Sequence, residues 1–122
     1  MKGDAEDRRK KVNMSMEQVE FKMLFLFPGA EGRRVRVNIG EDGMFTVTVD
    51  VHGMSVIDAK RAINNVIAMM RVAFHLCIIH GYQHGTKIKE MLYQSFTNAR
   101  VSNIHCDGGN PGLSICNVAA LC

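Results

Sequence analysis

A change of hydrophobic period between residues 45 and 74 is the feature that most constrains the fold. From Phe45 to Val51 apolar and polar residues alternate, which is the period of a strand with one buried face. From about residue 55 to 74 apolar residues recur instead at steps of three and four, which predicts an amphipathic helix. Because such a helix needs a sheet to cover, the chain is expected to form a layered α/β domain.

The rest of the chain extends this pattern. We predict three more strands and one more helix, with the strands over 76–79, 101–106 and 113–118 and the helix over 86–96. The order from residue 44 onward is then β-α-β-α-β-β. Since crossovers between parallel strands are right-handed, both helices should lie on one face, giving a two-layer α/β sandwich with a mixed sheet.

Two further segments precede this unit of residues 44–122. A strand over 33–39 and a turn at 40–43 predict an N-terminal β-hairpin extension, so residues 19–43 are assigned to it. Residues 1–18 are polar and charged with almost nothing to bury, which predicts a flexible arm.

Composition excludes a wholly disordered, collagen-like or mucin-like chain. The 122 residues carry a net charge of +3 and are 47% hydrophobic, as in an ordinary globular chain. No apolar run approaches the roughly 20 residues of a membrane span, and no export signal is visible. The four cysteines form no C-x-x-C pair, which argues against a zinc or dithiol site. We therefore expect a cytoplasmic protein with no membrane partner.

Two glycine turns occupy equivalent places in the predicted fold. Asp50-Val51-His52-Gly53 ends a strand just before the first helix, and His80-Gly81 through Gly85 ends the next strand before the second helix. Ligands of open α/β sheets bind where strand carboxyl ends meet helix N-termini. Glycines allow close backbone approach, and free N–H groups suit an anion such as phosphate. The two turns are expected to form one site.

The residues of these turns favour acid–base chemistry on a phosphodiester. His52 and His80 are candidates for general base and acid, with Asp50 orienting an imidazole. On RNA the 2′-hydroxyl supplies the nucleophile, so no tightly bound metal is required. Metal-assisted cleavage normally needs several carboxylates, which leaves Mg²⁺ as an open cofactor with Asp50 as its candidate ligand. The structural alternative is that Asp50 accepts backbone N–H groups and each histidine binds a neighbouring carbonyl.

Other residues of the turns are candidates for nucleic-acid binding. Lys87 and Lys89, with Arg100 beyond the helix, can hold a phosphate backbone, and Tyr82 can stack on an unpaired base. The predicted binding set is Gly53, Gly81, Tyr82, His84, Gly85, Thr86, Lys87 and Lys89.

Taken together, the two turns resemble those of the Smr (small MutS-related) domain family, whose marks are a D-x-H-G turn and an H-G-x-G-x-G turn, each between a strand and a helix. The similarity spans residues 45–119 and includes Met54, the stretch Thr86-Lys87-Ile88-Lys89, and Gly112-Leu113-Ser114-Ile115. Gln83 stands where the family often has its middle glycine.

This resemblance implies nucleic-acid binding and, in some members, endonuclease activity that nicks DNA or cleaves RNA. The expectation is thus a nucleic-acid-binding protein, RNA slightly ahead of DNA, with cleavage through Asp50, His52 and His80 as the enzymatic hypothesis. The alternative is a non-catalytic module that docks on structured RNA of the ribosomal kind, or on a protein partner, through the same turns.

Overall fold

The computed structural model describes residues 17–18, 34–82 and 85–121. Several sequence predictions fall at least partly outside these residues: the arm over 1–18 apart from residues 17–18, the 19–33 part of the β extension, and His84.

Seven elements follow one another along the described chain: β1 (Val35–Ile39), β2 (Phe45–Asp50), α1 (Val56–Met69), β3 (Phe74–Ile79), α2 (Lys87–Gln94), β4 (Val101–Asp107) and β5 (Asn110–Val118). The strands form one sheet in the order β1-β2-β3-β5-β4. β2 and β3 are parallel, and the other neighbours are antiparallel. The predicted β-α-β-α-β-β order and the two-layer α/β sandwich with a mixed sheet are confirmed.

The core lies between the helices and one face of the sheet. The four alternating residues of the clearest predicted strand are all buried: Phe45, Val47, Val49 and Val51. They belong to one hydrophobic cluster with buried residues of both helices, such as Ile63 of α1 and Leu92 of α2. The opposite side of β2, which carries Asp50, faces away from this core.

The predicted hairpin extension is confirmed over its described part. β1 pairs with β2 through the turn at 40–43, where Gly40 N–H donates to the Met44 carbonyl at 2.8 Å. Val37 of β1 is buried opposite Val47. β1 is therefore an edge strand of the main sheet and shares the core with it.

Helix α1 begins as the sequence predicts and ends earlier. The Ser55 hydroxyl caps it by accepting the N–H of Asp58 at 3.1 Å. The predicted end at residue 74 is wrong, because α1 stops at Met69 and Phe74 opens β3. Phe74 is fully buried, so it satisfies the helical period although it lies in a strand.

Arg100 is placed differently from its predicted role at a phosphate backbone. Its guanidinium donates to the carbonyls of Ile67 at 2.8 Å and Met70 at 2.7 Å, and its Nε donates to Ala119 at 2.8 Å. Arg100 therefore binds the carbonyl end of α1, where the Ile67 carbonyl also accepts the N–H of Met70 at 3.2 Å.

The last hairpin turns more tightly than its composition suggests. The predicted strands over 101–106 and 113–118 leave residues 107–112 as the connection, yet β5 already begins at Asn110, which pairs with Asp107. The two glycines at 108–109 suffice to reverse the chain. None of the helices in the described part of the chain is long and apolar enough to cross a membrane.

Candidate functional site

The two predicted turns meet at one edge of the sheet. β2 and β3 are parallel neighbours, so their carboxyl ends lie side by side. The N–H of Val51 continues the pairing by donating to the Ile79 carbonyl at 2.9 Å. Beside these turns, the starts of both helices and of β5 line a cavity of about 820 Å³.

The cavity collects most of the predicted site residues. The predicted residues that line it are His52, Gly53, His80, Gly81, Tyr82, Gly85 and Lys87. Thr86 and Lys89 are not among the lining residues, and the Thr86 hydroxyl donates instead to Glu90 at 3.1 Å. Asp50 is not among the lining residues either, but it is bonded to His52, which is.

Two of the glycines are required by the backbone. Gly53 and Gly81 have φ angles of 78° and 74°, which residues with a side chain rarely adopt. A Cβ atom on Gly81 would lie 3.4 Å from Cβ of His52. A Cβ atom on Gly53 would meet nothing within 4 Å, so these glycines are required by their backbone conformation and not by a lack of space.

Asp50 holds the imidazole of His52. One carboxylate oxygen of Asp50 accepts both the backbone N–H of His52, at 3.1 Å, and the Nδ1–H of its ring. With the hydrogen on Nδ1, the Nε2 atom of neutral His52 carries a lone pair. The side chain is 62% exposed, and within the described residues no partner binds Nε2. His52 therefore presents a basic nitrogen at the rim of the cavity.

Arg34 stabilises this turn by hydrogen bonds. It was not identified as a site residue from the sequence. Its guanidinium donates to the carbonyls of Asp50 at 3.0 Å and His52 at 3.2 Å. Arg34 directly precedes β1, whose first residue Val35 lies opposite Val49. This register brings Arg34 to the turn, and the sequence pattern alone carries no signal for it.

The second histidine is bonded on both sides. His80 is 4% exposed, its Nδ1–H donates to the Gly81 carbonyl at 2.8 Å, and its Nε2 lies 2.8 Å from the Ser114 hydroxyl. Ser114 is fully buried and also lies 2.9 Å from the Tyr93 hydroxyl. Since a carbonyl only accepts, Nε2 of neutral His80 accepts from Ser114, which in turn accepts from Tyr93. Both nitrogens of His80 are therefore used within the fold.

The donor set does not suit a dedicated magnesium site. Among the described residues, no three histidine, cysteine or acidic side chains converge on a common point. The carboxylate of Asp50 already accepts two N–H groups through one oxygen. Mg²⁺ needs near-octahedral oxygen ligation, which Asp50 alone does not supply.

The described cysteines are free thiols outside the cavity. Burial raises the pKa of Cys116 to about 12 and also raises the pKa of Cys77. Because the thiolate is the reactive form, buried Cys116 and partly buried Cys77 are poor nucleophiles. The chemistry of the site belongs to its histidines.

Positive charge at the cavity comes from Lys87. Its side chain is exposed in the first turn of α2. Within residues 34–82 and 85–121, no carboxylate forms an ion pair with it. Lys87 is thus available to an anionic ligand.

Comparison of the chain with protein-family models, with curated protein sequences and with solved structures gave no match. The resemblance to the Smr domain therefore rests on the two turns, on the elements that carry them and on their spacing. The function of the site is accordingly inferred from its own residues.

Proposed function

We propose that this chain is an Smr-like, cytoplasmic nucleic-acid-binding protein that cleaves RNA through the Asp50–His52 pair. The observation that carries the proposal is the exposed His52 ring, held by Asp50 through Nδ1 and open at Nε2. It lines the same cavity as Lys87, which can contact phosphate. The free thiols of the described cysteines are compatible with a reducing cytoplasm.

The proposed reaction uses the substrate's own nucleophile. Nε2 of His52 accepts the proton of a ribose 2′-hydroxyl, and the 2′-oxygen attacks the adjacent phosphorus. The bond from phosphorus to the 5′-oxygen breaks, and this oxygen takes a proton from water. The resulting hydroxide removes the proton from His52. The products are a 2′,3′-cyclic phosphate and a 5′-hydroxyl, and Asp50 stabilises the transient imidazolium.

RNA is favoured over DNA by the composition of the site. DNA lacks the 2′-hydroxyl, so its cleavage needs an activated water, commonly supplied by metal ions held by carboxylates. No acidic residue is among the described residues that line the cavity, and the carboxylate of Asp50 beside it is bonded to His52. A base with no dedicated metal site fits transesterification of RNA better than hydrolysis of DNA.

In this proposal His80 positions the second turn. Its two nitrogens bind Gly81 and Ser114, and its backbone N–H donates to the Gly112 carbonyl at 2.9 Å. A role as general acid would require one of the two hydrogen bonds made by the ring nitrogens to break. The open nitrogen of His52 makes it the reacting histidine.

The test is cleavage of an end-labelled RNA in the presence of a chelator. His52→Ala and Asp50→Asn should each lower the rate by about 100-fold or more, because they remove the base or its orientation. A substrate with one 2′-deoxyribose should resist cleavage at that position. His105→Ala is the matched control, since this exposed histidine bonds the Asn103 carbonyl outside the cavity.

Three results would contradict parts of the proposal. Unchanged cleavage in Asp50→Asn would remove the proposed mechanism. Salt-dependent RNA binding without any product would establish the non-catalytic binding module instead. Absence of both binding and cleavage at low salt would favour a protein partner.

A further inference from the structure

The cavity has apolar walls as well as a charged rim. Ile79 and Ile88 line it together with Met54, and Ile88 is 7% exposed. A phosphate group alone is bound by N–H groups and cations and gains nothing from such walls. The apolar surface therefore indicates that the ligand also carries an uncharged, hydrophobic part.

Tyr82 supplies an aromatic surface at this cavity. Its side chain is 50% exposed, and it lines the cavity beside Gly81. A Cβ atom added to Gly112 would lie 3.2 Å from Cδ1 of Tyr82 and 3.2 Å from Cα of Gly81. The missing side chain at Gly112 thus lets the Tyr82 ring rest on β5. A ring supported in this way is a platform on which a flat ligand can stack.

The volume of the cavity and the chemistry of its lining residues both suit a single nucleotide. The cavity of about 820 Å³ lies within the range of pockets that enclose small organic ligands. A nucleotide combines an aromatic base, which suits Tyr82 and the apolar walls, with a phosphate, which suits Lys87. A base can enter a pocket only after leaving its stack, which is least costly when it is unpaired.

We propose that the cavity binds the base of a single unpaired nucleotide, stacked on Tyr82 with its phosphate beside Lys87. This inference rests on the proposed function in that it assigns a ligand to the same site. It makes single-stranded or loop RNA the substrate class. Duplex RNA, whose bases stay stacked, is excluded from the cavity.

Binding of small ligands to the full chain tests the inference without requiring cleavage. Adenosine 5′-monophosphate, ribose 5-phosphate and inorganic phosphate are titrated separately, and backbone amide NMR shifts of Gly53, Gly81 and Gly112 report binding. Adenosine monophosphate should bind about tenfold or more tightly than ribose 5-phosphate, since only its base can stack on the Tyr82 ring.

Variants assign the preference to the aromatic ring. Tyr82→Ala should abolish the advantage of adenosine monophosphate over ribose 5-phosphate, whereas Tyr82→Phe should keep it. Ile57→Ala is the control, because Ile57 is 70% exposed and is not among the lining residues of the cavity. Lys87→Ala should weaken both phosphorylated ligands to a similar extent.

The outcomes separate this inference from the proposed cleavage. Equal affinity for adenosine monophosphate and ribose 5-phosphate, or an unchanged preference in Tyr82→Ala, would overturn the base site even if RNA were cleaved. Preferential binding of adenosine monophosphate by a protein that cleaves no RNA would support the base site and remove the cleavage mechanism.

Discussion

At the scale of single residues, Ser114 connects the turn that follows β3 with helix α2. Its hydroxyl lies 2.8 Å from Nε2 of His80 and 2.9 Å from the hydroxyl of Tyr93. A hydroxyl can donate to one partner while it accepts from the other. Ser114 is fully buried and His80 is 4% exposed, so water cannot readily take its place.

Replacement of Ser114 should therefore destabilise the fold. Ser114→Ala leaves Nε2 of His80 buried without this partner, which should lower the free energy of unfolding by about 1–3 kcal/mol. Urea denaturation followed by circular dichroism measures the change. Tyr93→Phe is the comparison, because Tyr93 is 43% exposed and the loss of its hydroxyl should cost less. Equal effects of the two substitutions would show that the bond to His80 contributes no extra stability.

The number of positions between two bonded residues explains which contacts of the site could be predicted from the sequence. Asp50 and His52 are two positions apart, so their pairing follows from the turn itself. His80 meets Ser114 across 34 positions, and this contact decides that its nitrogens are occupied. The sequence thus located both histidines and could not show that one is open while the other is bonded.

At the scale of elements, the end of α1 is bound by a residue that directly precedes β4. The guanidinium of Arg100 binds the carbonyls of Ile67 and Met70, and its Nε binds Ala119 after β5. The Ile67 carbonyl also accepts the N–H of Met70 at 3.2 Å, so Arg100 adds a second donor to this group. One side chain therefore joins the end of α1 to the end of the sheet.

Arg100→Ala should lower the free energy of unfolding by about 1.5–3 kcal/mol, the range for hydrogen bonds from a charged group. Arg100→Lys should restore only part of the loss, because a single ammonium lacks the forked geometry of guanidinium. Arg71→Ala is the control, since Arg71 is exposed just beyond α1. In thermal unfolding, the melting temperature should be lowest for Arg100→Ala, intermediate for Arg100→Lys and highest for Arg71→Ala. A loss in Arg100→Ala no larger than in Arg71→Ala would contradict the capping role.

The predicted element boundaries failed where burial and backbone give different signals. The hydrophobic period detects buried positions, and Phe74 is buried whether it ends a helix or starts a strand. The side chain that binds the carbonyls at the end of α1 is that of Arg100, far along the chain. Asn110 to Gly112 have the composition of a turn, but Asn110 pairs with Asp107 of β4 and β5 already includes all three residues.

At the scale of the whole molecule, the strand order creates the cavity. The sequence predicts that β2 and β3 are joined by a helix, and this helix makes them parallel neighbours. The position of β5 between β3 and β4 follows from no local pattern. It brings Gly112 beside Gly81, where its carbonyl accepts the Gly81 N–H at 3.1 Å. Long-range strand pairing therefore completes a site whose two turns are visible in the sequence.

The hydrogen-bonded pair of His75 and Asp42, on the face of the sheet that is turned away from the core, makes the stability of the molecule depend on pH. Nε2 of His75, in β3, lies 2.9 Å from the Asp42 carboxylate in the β1–β2 turn, and Nδ1 lies 3.1 Å from the Asn117 side-chain oxygen in β5. Both partners are acceptors, so they favour the imidazolium. The hydrogen bond to Asp42 is the main cause that raises the pKa of His75, and the same bond lowers the pKa of Asp42.

The direction of each shift gives the pH window. The raised pKa of His75 adds stability that is complete below its unfolded value of 6.5 and is lost as the pH rises through the folded pKa. The lowered pKa of Asp42 adds stability above its unfolded value of 3.8, which is lost as the pH falls through the folded pKa. The pair should therefore stabilise the fold most between these two unfolded values.

Asp42→Asn and His75→Gln should each flatten the pH dependence of stability. Urea unfolding at pH 5.5 and at pH 8.5 should show a decrease in the wild type that is smaller in both variants, because neither variant keeps the ion pair. His105→Gln is the control, since His105 is exposed and bonds a carbonyl rather than a carboxylate. If Asp42→Asn lost as much stability between the two pH values as the wild type, the ion pair would not be the source of the pH dependence.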